Sequence, residues 1–304
     1  MPSLNLKSAK NKLFTKYYGI GGLTIRVDSE LPISDKTFQA KFKAFERPSA
    51  GHGVIRIRHR FGLPKIKDGC LGNLVYDKLP WVIYEQSDSW IYFNVLPDIS
   101  FNAIVSIAIF NRDHTDGTIY HDSPDIFLSG NNASLTLMIT DQILLARVLA
   151  RRHGCIIHSC GAVLKGKGFL FSGHSGAGKS TLSAMLDKSG QVLCDDRIVV
   201  RKYAKQYKIF GTWSHGDFSV ISPESARLEG IFFLRKSLRN KITRVTDAKL
   251  AAKLILAHVV EPVVCHEWWK DIFLFIETMS EKVPCYILEF DKSGKIMTHL
   301  KRMA

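Results

Sequence analysis

The chain has 304 residues, 46% of them hydrophobic and 23% charged, a balance that excludes a disordered protein and is enough for one large or two modest domains with real cores. The formal net charge of +14 favours polyanionic or acidic partners: ATP, an acidic peptide, a phosphorylated metabolite, an anionic membrane surface or nucleic acid. Met1 to Phe14 is basic without an apolar h-region, so no signal peptide is expected, and Asp141 and Arg147 interrupt the apolar stretch Leu135–Ala150, so no membrane span is expected.

Residues 1–130 read as a β-rich domain. Leu23, Ile25 and Val27 alternate with Thr24 and Arg26; Ile55, Ile57 and Phe61 alternate with Arg56, Arg58 and Arg60. Such alternation marks strands with one buried face, and the arginine ladder reads as the solvated face rather than an anion-binding stripe. Val82–Tyr84 and Trp90–Phe93 predict a hairpin, and Ala103–Phe110 with Thr118–Tyr120 another, turning near Asp116-Gly117. Asn131 or Asn132 is expected to cap a helix reaching about Arg152, with Leu135, Met138, Ile139, Leu145 and Leu149 on one face and Gly154 ending it. The domain boundary is therefore set near residue 130, with 131–304 as the second domain.

That second domain alternates strands and helices. Cys155–Ser159 and Ala162–Leu164 predict strands, and Gly168–Phe171 a third. A helix carries Leu182, Met185 and Leu186, with Gly190 at its C-cap; in Val192–Val200 Asp195 and Asp196 sit between two apolar runs. Lys202–Ile209 and the 211–217 segment read as hairpin and loop, and Ile231–Leu234 as a buried strand. Thr246 is expected to cap a helix through Leu250, Leu254 and Ala257, followed by a helix over Cys265–Ser280 and a strand over Cys285–Phe290. The expected class is α/β. Six cysteines show no C-x-x-C pair, which predicts buried reduced thiols in a cytoplasmic protein.

Gly173-His174-Ser175-Gly176-Ala177-Gly178-Lys179-Ser180-Thr181 fits the P-loop pattern G-x-x-x-x-G-K-[ST], between a predicted strand and a predicted helix. The glycines let consecutive N–H groups turn inward toward phosphate oxygens, and the helix start adds its positive end. Lys179 is then expected to reach the outer phosphates of ATP and Ser180 to ligate Mg²⁺. Asp195 follows Ser180 after one helix and a short connection, so its strand can lie beside the P-loop strand. A carboxylate there either completes the Mg²⁺ shell or accepts a proton from an attacking hydroxyl; both aspartates reach the site only if the chain turns or bulges at the strand end.

Ile157-His158 with Gly161, then Ser172–Ser180, then Asp195-Asp196-Arg197 resemble the catalytic core of the HPr kinase/phosphorylase family, itself related to ATP-dependent phosphoenolpyruvate carboxykinase. The resemblance implies a P-loop kinase domain of that type. It implies one aspartate as general base (here Asp195), the other as metal partner (Asp196), and His158 orienting the base. Thr181 and Arg197 take supporting roles. Three departures stand out. Arg227–Leu234 has one glycine where the family has a glycine-rich signature, with Glu229 as a candidate second metal-shell carboxylate. Residues 1–130 do not look like that family's α/β N-terminal domain. His174 replaces the usual loop aspartate. The expected acceptor is therefore not HPr. The layout is similar to relatives that phosphorylate a precursor serine in lasso-peptide pathways, while others in the superfamily act on small alcohols.

The expectation is a Mg²⁺/ATP-dependent kinase acting on a hydroxyl acceptor, first a serine of an acidic peptide or protein, with a small-molecule alcohol or polyol as the alternative. Trp213, His215, Asp217 and the basic run Arg235, Lys236, Arg239, Lys241 and Arg244 are candidate acceptor contacts. A nucleotide-gated binding protein without transfer is the second class. Nucleic acid ranks last, since no helicase motif set or nucleic-acid module is found. The resembling family often forms rings, which makes a homo-oligomer an expectation too.

Overall fold

The computed structural model describes residues 13–66, 70–97, 102–136, 141–264 and 266–304. Met138, Ile139 and Cys265, and the basic segment ahead of residue 13, lie outside the described residues. The chain divides into two compact units. The first takes its described residues from Met1–Tyr18, Thr24–Ala40 and Glu46–Thr140; the second from Gly19–Leu23, Lys41–Phe45 and Asp141–Ala304. The expected border at residue 130 falls inside the first unit. No helix of the described residues is long and apolar enough to cross a membrane.

Nine strands make one sheet: β1 (Phe14–Ile20), β2 (Leu23–Ser29), β3 (Glu46–Arg47), β4 (Val54–Phe61), β5 (Asn73–Lys78), β6 (Trp81–Glu85), β7 (Ser89–Pro97), β8 (Asn102–Asn111) and β9 (Asp116–His121). Their order is β3-β1-β2-β4-β9-β8-β7-β6-β5. The alternation in β4 does what its pattern predicts: Ile55, Ile57 and His59 are buried, and the arginines between them face out. Those arginines are ion-paired, Arg58 with both oxygens of Asp116 (2.7 and 2.8 Å), Arg56 with Asp116 at 3.6 Å, and Arg60 with Glu30. The β6–β7 hairpin forms as expected. The β8–β9 turn differs. It closes over residues 112–115, with His114 at φ 56°, and Gly117 lies inside β9 beneath the ring of Phe110.

The helix expected from Asn131 begins later. A short turn of helix, α1 (Asp125–Leu128), precedes the asparagines, and the helix proper is α2 (Gln142–Ala150). Asn131 adopts φ 54°, and its N–H donates to Lys36 O at 2.7 Å, while Asn132 bonds Thr37 through both backbone and side chain. Asparagine tolerates the left-handed region and bonds locally, and here those tendencies fix a loop instead of a cap. At the other end His153, at φ 52°, takes the left-handed position expected for Gly154, which instead opens a strand.

A buried histidine pair sits in this first unit. His59 Nε2 donates to Leu135 O (2.9 Å), so His59 Nδ1 accepts from His121 Nε2–H at 3.0 Å. His121 Nδ1 is buried without a hydrogen-bond partner. Burial and the neighbouring imidazole push His59 down to about 3, and burial pushes His121 down to about 4. Unfolded histidines bind protons below about pH 6.5, so between there and pH 4 the unfolded chain holds more protons. Stability is full above pH 6.5 and is expected to fall with pH by about 1.4 kcal/mol per unit for each imidazole. Thermal unfolding followed from pH 7 to 4.5 checks this: His121→Phe should flatten the slope, and an unchanged slope contradicts the assignment.

The second unit is built on a sheet with helices on both faces. Its elements are β10 (Gly154–Leu164), β11 (Lys167–Ser172), α3 (Lys179–Asp187), β12 (Gln191–Cys194), β13 (Arg197–Tyr203), β14 (Gln206–Phe210), β15 (Ser225–Lys236), β16 (Lys241–Val245), α4 (Ala248–Leu256), α5 (His266–Lys282), β17 (Cys285–Phe290) and α6 (Ile296–Met303). The strand order is β11-β10-β13-β14-β15-β17-β16, and β11 also pairs with β15, so five of these strands close a ring of pairings. Leu170 on β11 joins the core beneath α4 and α5, with Ile231, Ile255, Trp268, Ile272 and Met279. Its neighbours Phe169 and Phe171 point the other way, to Leu182 and Leu186 of α3 and Ile296 and Leu300 of α6. That double burial explains why β11 is an uninterrupted apolar run.

Two helix caps shift slightly from expectation. Asp247, not Thr246, caps α4, accepting from the N–H groups of Lys249 and Leu250. α3 ends at Asp187 with Lys188 as its C-cap, ahead of Gly190, which instead lies close against the Val163 carbonyl. Cys155, Cys160, Cys194 and Cys285 are buried free thiols and Cys70 is exposed. Burial pushes Cys160 and Cys285 up to about 12, which makes them inert.

Candidate active site around the glycine-rich loop

The loop 173–178 leaves the end of β11 and enters α3. β11, β15 and β17 run parallel, so the loop lies at their C-terminal edge. Gly173 is buried, while His174, Ser175 and Gly176 are exposed. Both ends of the loop need glycine. A Cβ on Gly173 would stand 2.7 Å from Ala177 Cβ and 3.2 Å from Leu234 Cβ. Gly178 is the N-cap of α3 at φ 101°, and a Cβ there would meet the Phe290 ring at 2.9 Å. Gly178→Ala is accordingly expected to lower stability by about 1–2 kcal/mol for the left-handed backbone alone. A melting temperature equal to wild type would contradict this.

Lys179 is half-buried at the helix start. Its Nζ donates to Gly173 O at 2.7 Å and weakly to His174 O at 3.4 Å, closing the loop on itself. Burial draws its pKa down, opposed by the charges of Asp196 and Asp195. Among the described residues the Ser180, Thr181 and Ser175 side chains find no hydrogen-bond partner, and the Ser180 hydroxyl stands at the first turn of the helix.

Asp195 and Asp196 sit at a bend between β12 and β13, which is the turn that both reaching one site requires. They do different things. Asp195 is 3% exposed, and its two oxygens accept from Gly216 N–H (2.7 Å) and Phe218 N–H (2.9 Å). It anchors the loop 214–218. Asp196 faces the other way: its Oδ1 accepts from His158 Nδ1 at 3.0 Å, and its Oδ2 lies 3.5 Å from Arg197 Nε. Burial opposes its ionisation, but the His158 hydrogen bond and the Arg197 and Lys179 charges outweigh burial and hold its pKa below the ordinary carboxylate range. His158 was expected beside Asp195 as base; the geometry puts it on Asp196. The backbone fixes this, because Ser159 N–H donates to Asp196 O at 2.9 Å, next to His158 on β10.

His258 joins the site without a sequence signal. It follows the end of α4, and its backbone carbonyl accepts from His158 N–H at 2.8 Å. Its Nδ1 donates to Leu254 O at 2.8 Å, which leaves Nε2 as a bare lone pair, buried and unpartnered. Its ring lies 5.4 Å from that of His174. Burial lowers its pKa, the Leu254 carbonyl opposes this, and the nearby His174, His158 and Lys179 add to the lowering, so His258 is neutral.

Other expected contacts separate. Trp213 is 3% exposed, packed 5.0 Å from Phe42 and 5.3 Å from Phe45, which makes it a core residue rather than an acceptor contact. His215 and Asp217 are exposed on the loop that Asp195 holds. Glu229 is paired with Arg227 at 2.9 Å near the start of β15, the end remote from the glycine-rich loop, and so does not serve a metal there. Arg244 lies on β16 opposite Tyr286, further from that edge than Lys241.

Among the described residues no group of three His, Cys, Asp or Glu side chains is arranged to hold a metal. The donors near the loop are Ser180 Oγ and Asp196. Such a sparse set suits Mg²⁺, which keeps several waters and takes further oxygens from phosphates.

A family model described as SynChlorMet cassette protein ScmC matches residues 128–304. No curated protein matches the chain significantly. Among solved structures, the chain is similar to the Hpr(Ser) kinase/phosphatase from Coxiella burnetii, at 16% identity and a TM-score of 0.31, over 49% of this chain and 87% of that one.

Proposed function

The chain belongs to the family of the SynChlorMet cassette protein ScmC, and from that premise we propose that it is a Mg²⁺/ATP-dependent phosphotransferase acting on a hydroxyl group, in the first place a serine of a peptide or protein. The observation that carries the reading is the convergence of three distant stretches. Lys179 at the junction of the glycine-rich loop and α3, Asp196 on the β12–β13 bend and His158 on β10 form one electrostatically linked group. In this reading Lys179 supplies a cation for the phosphates, Ser180 would be a protein ligand for Mg²⁺, and Mg²⁺ when bound would neutralise charge on the phosphates.

Asp196 replaces Asp195 as the proposed base. Asp195 is buried, and each of its oxygens already accepts a backbone N–H group. Asp196 keeps Oδ2 for the proton of an incoming hydroxyl, and His158 holds the carboxylate in place through Oδ1. As the hydroxyl oxygen bonds to the γ-phosphorus and the bond to the leaving phosphate breaks, Lys179 offsets the charge that develops. The reading is tested by acceptor-dependent ADP release. Serine peptides or polyols should accelerate it, and Lys179→Ala should abolish the increment. Bound ATP with no response to any acceptor would point instead to a nucleotide-gated binding protein.

A further inference from the structure

The turn after β15 and the turn after β17 meet at the same sheet edge as the glycine-rich loop. Ser237 N–H donates to Phe290 O at 3.3 Å and Asp291 N–H to Asn240 Oδ1 at 3.4 Å. From these turns Arg235, Lys236, Arg239, Lys241, Lys292 and Lys295 are exposed, and among the described residues none of the six side chains makes an ion pair or hydrogen bond, though the charge of Lys295 is felt by Asp291. Two carboxylates lie among them. Glu289 stands in register between Arg235 and Lys241, and Asp291 accepts from the backbone and hydroxyl of Ser293. The excess is a shelf of uncompensated positive charge. It begins just past Leu234 and Phe290, the residues that close on Gly173 and Gly178 at the two ends of the loop.

We propose that this shelf docks an acidic, extended peptide segment and delivers its hydroxyl residue to the loop, an inference that rests on the phosphotransferase reading above. Six cations exceed what one nucleotide needs beyond Lys179 and the loop amides, and unpaired like charges held together call for an anionic partner. The partner is a peptide rather than a nucleic acid because the shelf has no stacking platform. Phe290 is 6% exposed, and the large apolar side chain these turns present is Leu238, 96% exposed, which suits an aliphatic contact.

The test uses the full chain and two fluorescein-labelled synthetic peptides, one serine flanked by glutamates and its Gln-for-Glu counterpart, followed by anisotropy. The acidic peptide should bind at least about tenfold more tightly and weaken as salt rises. R239Q/K292Q/K295Q should lose about tenfold of that affinity at an unchanged melting temperature. Equal binding of the two peptides, an unaffected triple variant, or displacement of the acidic peptide by a single-stranded RNA oligonucleotide at lower concentration than by unlabelled peptide would overturn the proposal. An acidic peptide that binds but takes no phosphate from ATP supports the shelf and counts against phosphotransfer. Equal labelling and equal binding of both peptides support phosphotransfer and overturn the shelf.

Discussion

Asp196→Asn is expected to leave the protein folded and to lower phosphoryl transfer by about 10²–10⁴-fold, the range for loss of a general base. Asp195→Asn is expected to do the reverse in kind. Asp196 is partly exposed, and its amide replacement still accepts from His158. Asp195 is buried and accepts two backbone N–H groups, and an asparagine has one carbonyl oxygen to offer them. The NH₂ group then faces the other amide hydrogen, leaving a buried donor unsatisfied at a cost of about 1–3 kcal/mol. Loop 214–218 should become cleavable by protease in that variant. Activity profiles and melting curves on the two variants separate the roles. Equal loss of activity at equal stability would show that both carboxylates act in the chemistry.

Lys179→Ala should remove nucleotide-dependent chemistry, by about 10²–10³-fold or more in rate, the scale for losing one preorganised charge-stabilising donor. Part of the loss has a structural origin. The ammonium ties Gly173 O at one end of the loop to the first residue of α3. Lys179→Met keeps the buried stem and removes both the charge and this tie. Lys179→Arg keeps the charge but presents a wider planar fork where Nζ now meets the Gly173 carbonyl at 2.7 Å and, weakly, the His174 carbonyl at 3.4 Å. Both should therefore fail, and nucleotide affinity by calorimetry checks them. A fully active Lys179→Arg would mean that charge alone suffices at this position.

Much of this arrangement is legible in the residues. The loop, its helix, the double-faced apolar run of β11 and the short path from Ser180 to Asp195 follow from pattern and spacing. The bend at the two aspartates follows from strand alternation, because adjacent side chains on a regular strand face apart. Which aspartate meets His158 and which holds the 214–218 loop does not follow. That is decided by the 214–218 amides and the β10 backbone, both remote in sequence. His258 is invisible for the same reason, as a lone histidine past the end of a helix, brought to the site by the Ile157–Val259 bridge. The misplaced helix start has a different cause. Asn131 and Asn132 have good capping chemistry, but segment 36–37 offers them bonds that a local reading does not contain.

The measurement that bears most directly on the central claim is transfer from γ-labelled ATP with Mg²⁺ into host extract, separated into macromolecular and small-molecule fractions, with Lys179→Ala and Asp196→Asn alongside. The Lys179–Asp196–His158 centre predicts label that is stable to acid and released by alkali, as a serine phosphoester is, and that is lost in both variants. ATP binding without any Lys179-dependent label would contradict phosphotransfer and leave a protein that holds a nucleotide in order to bind something else.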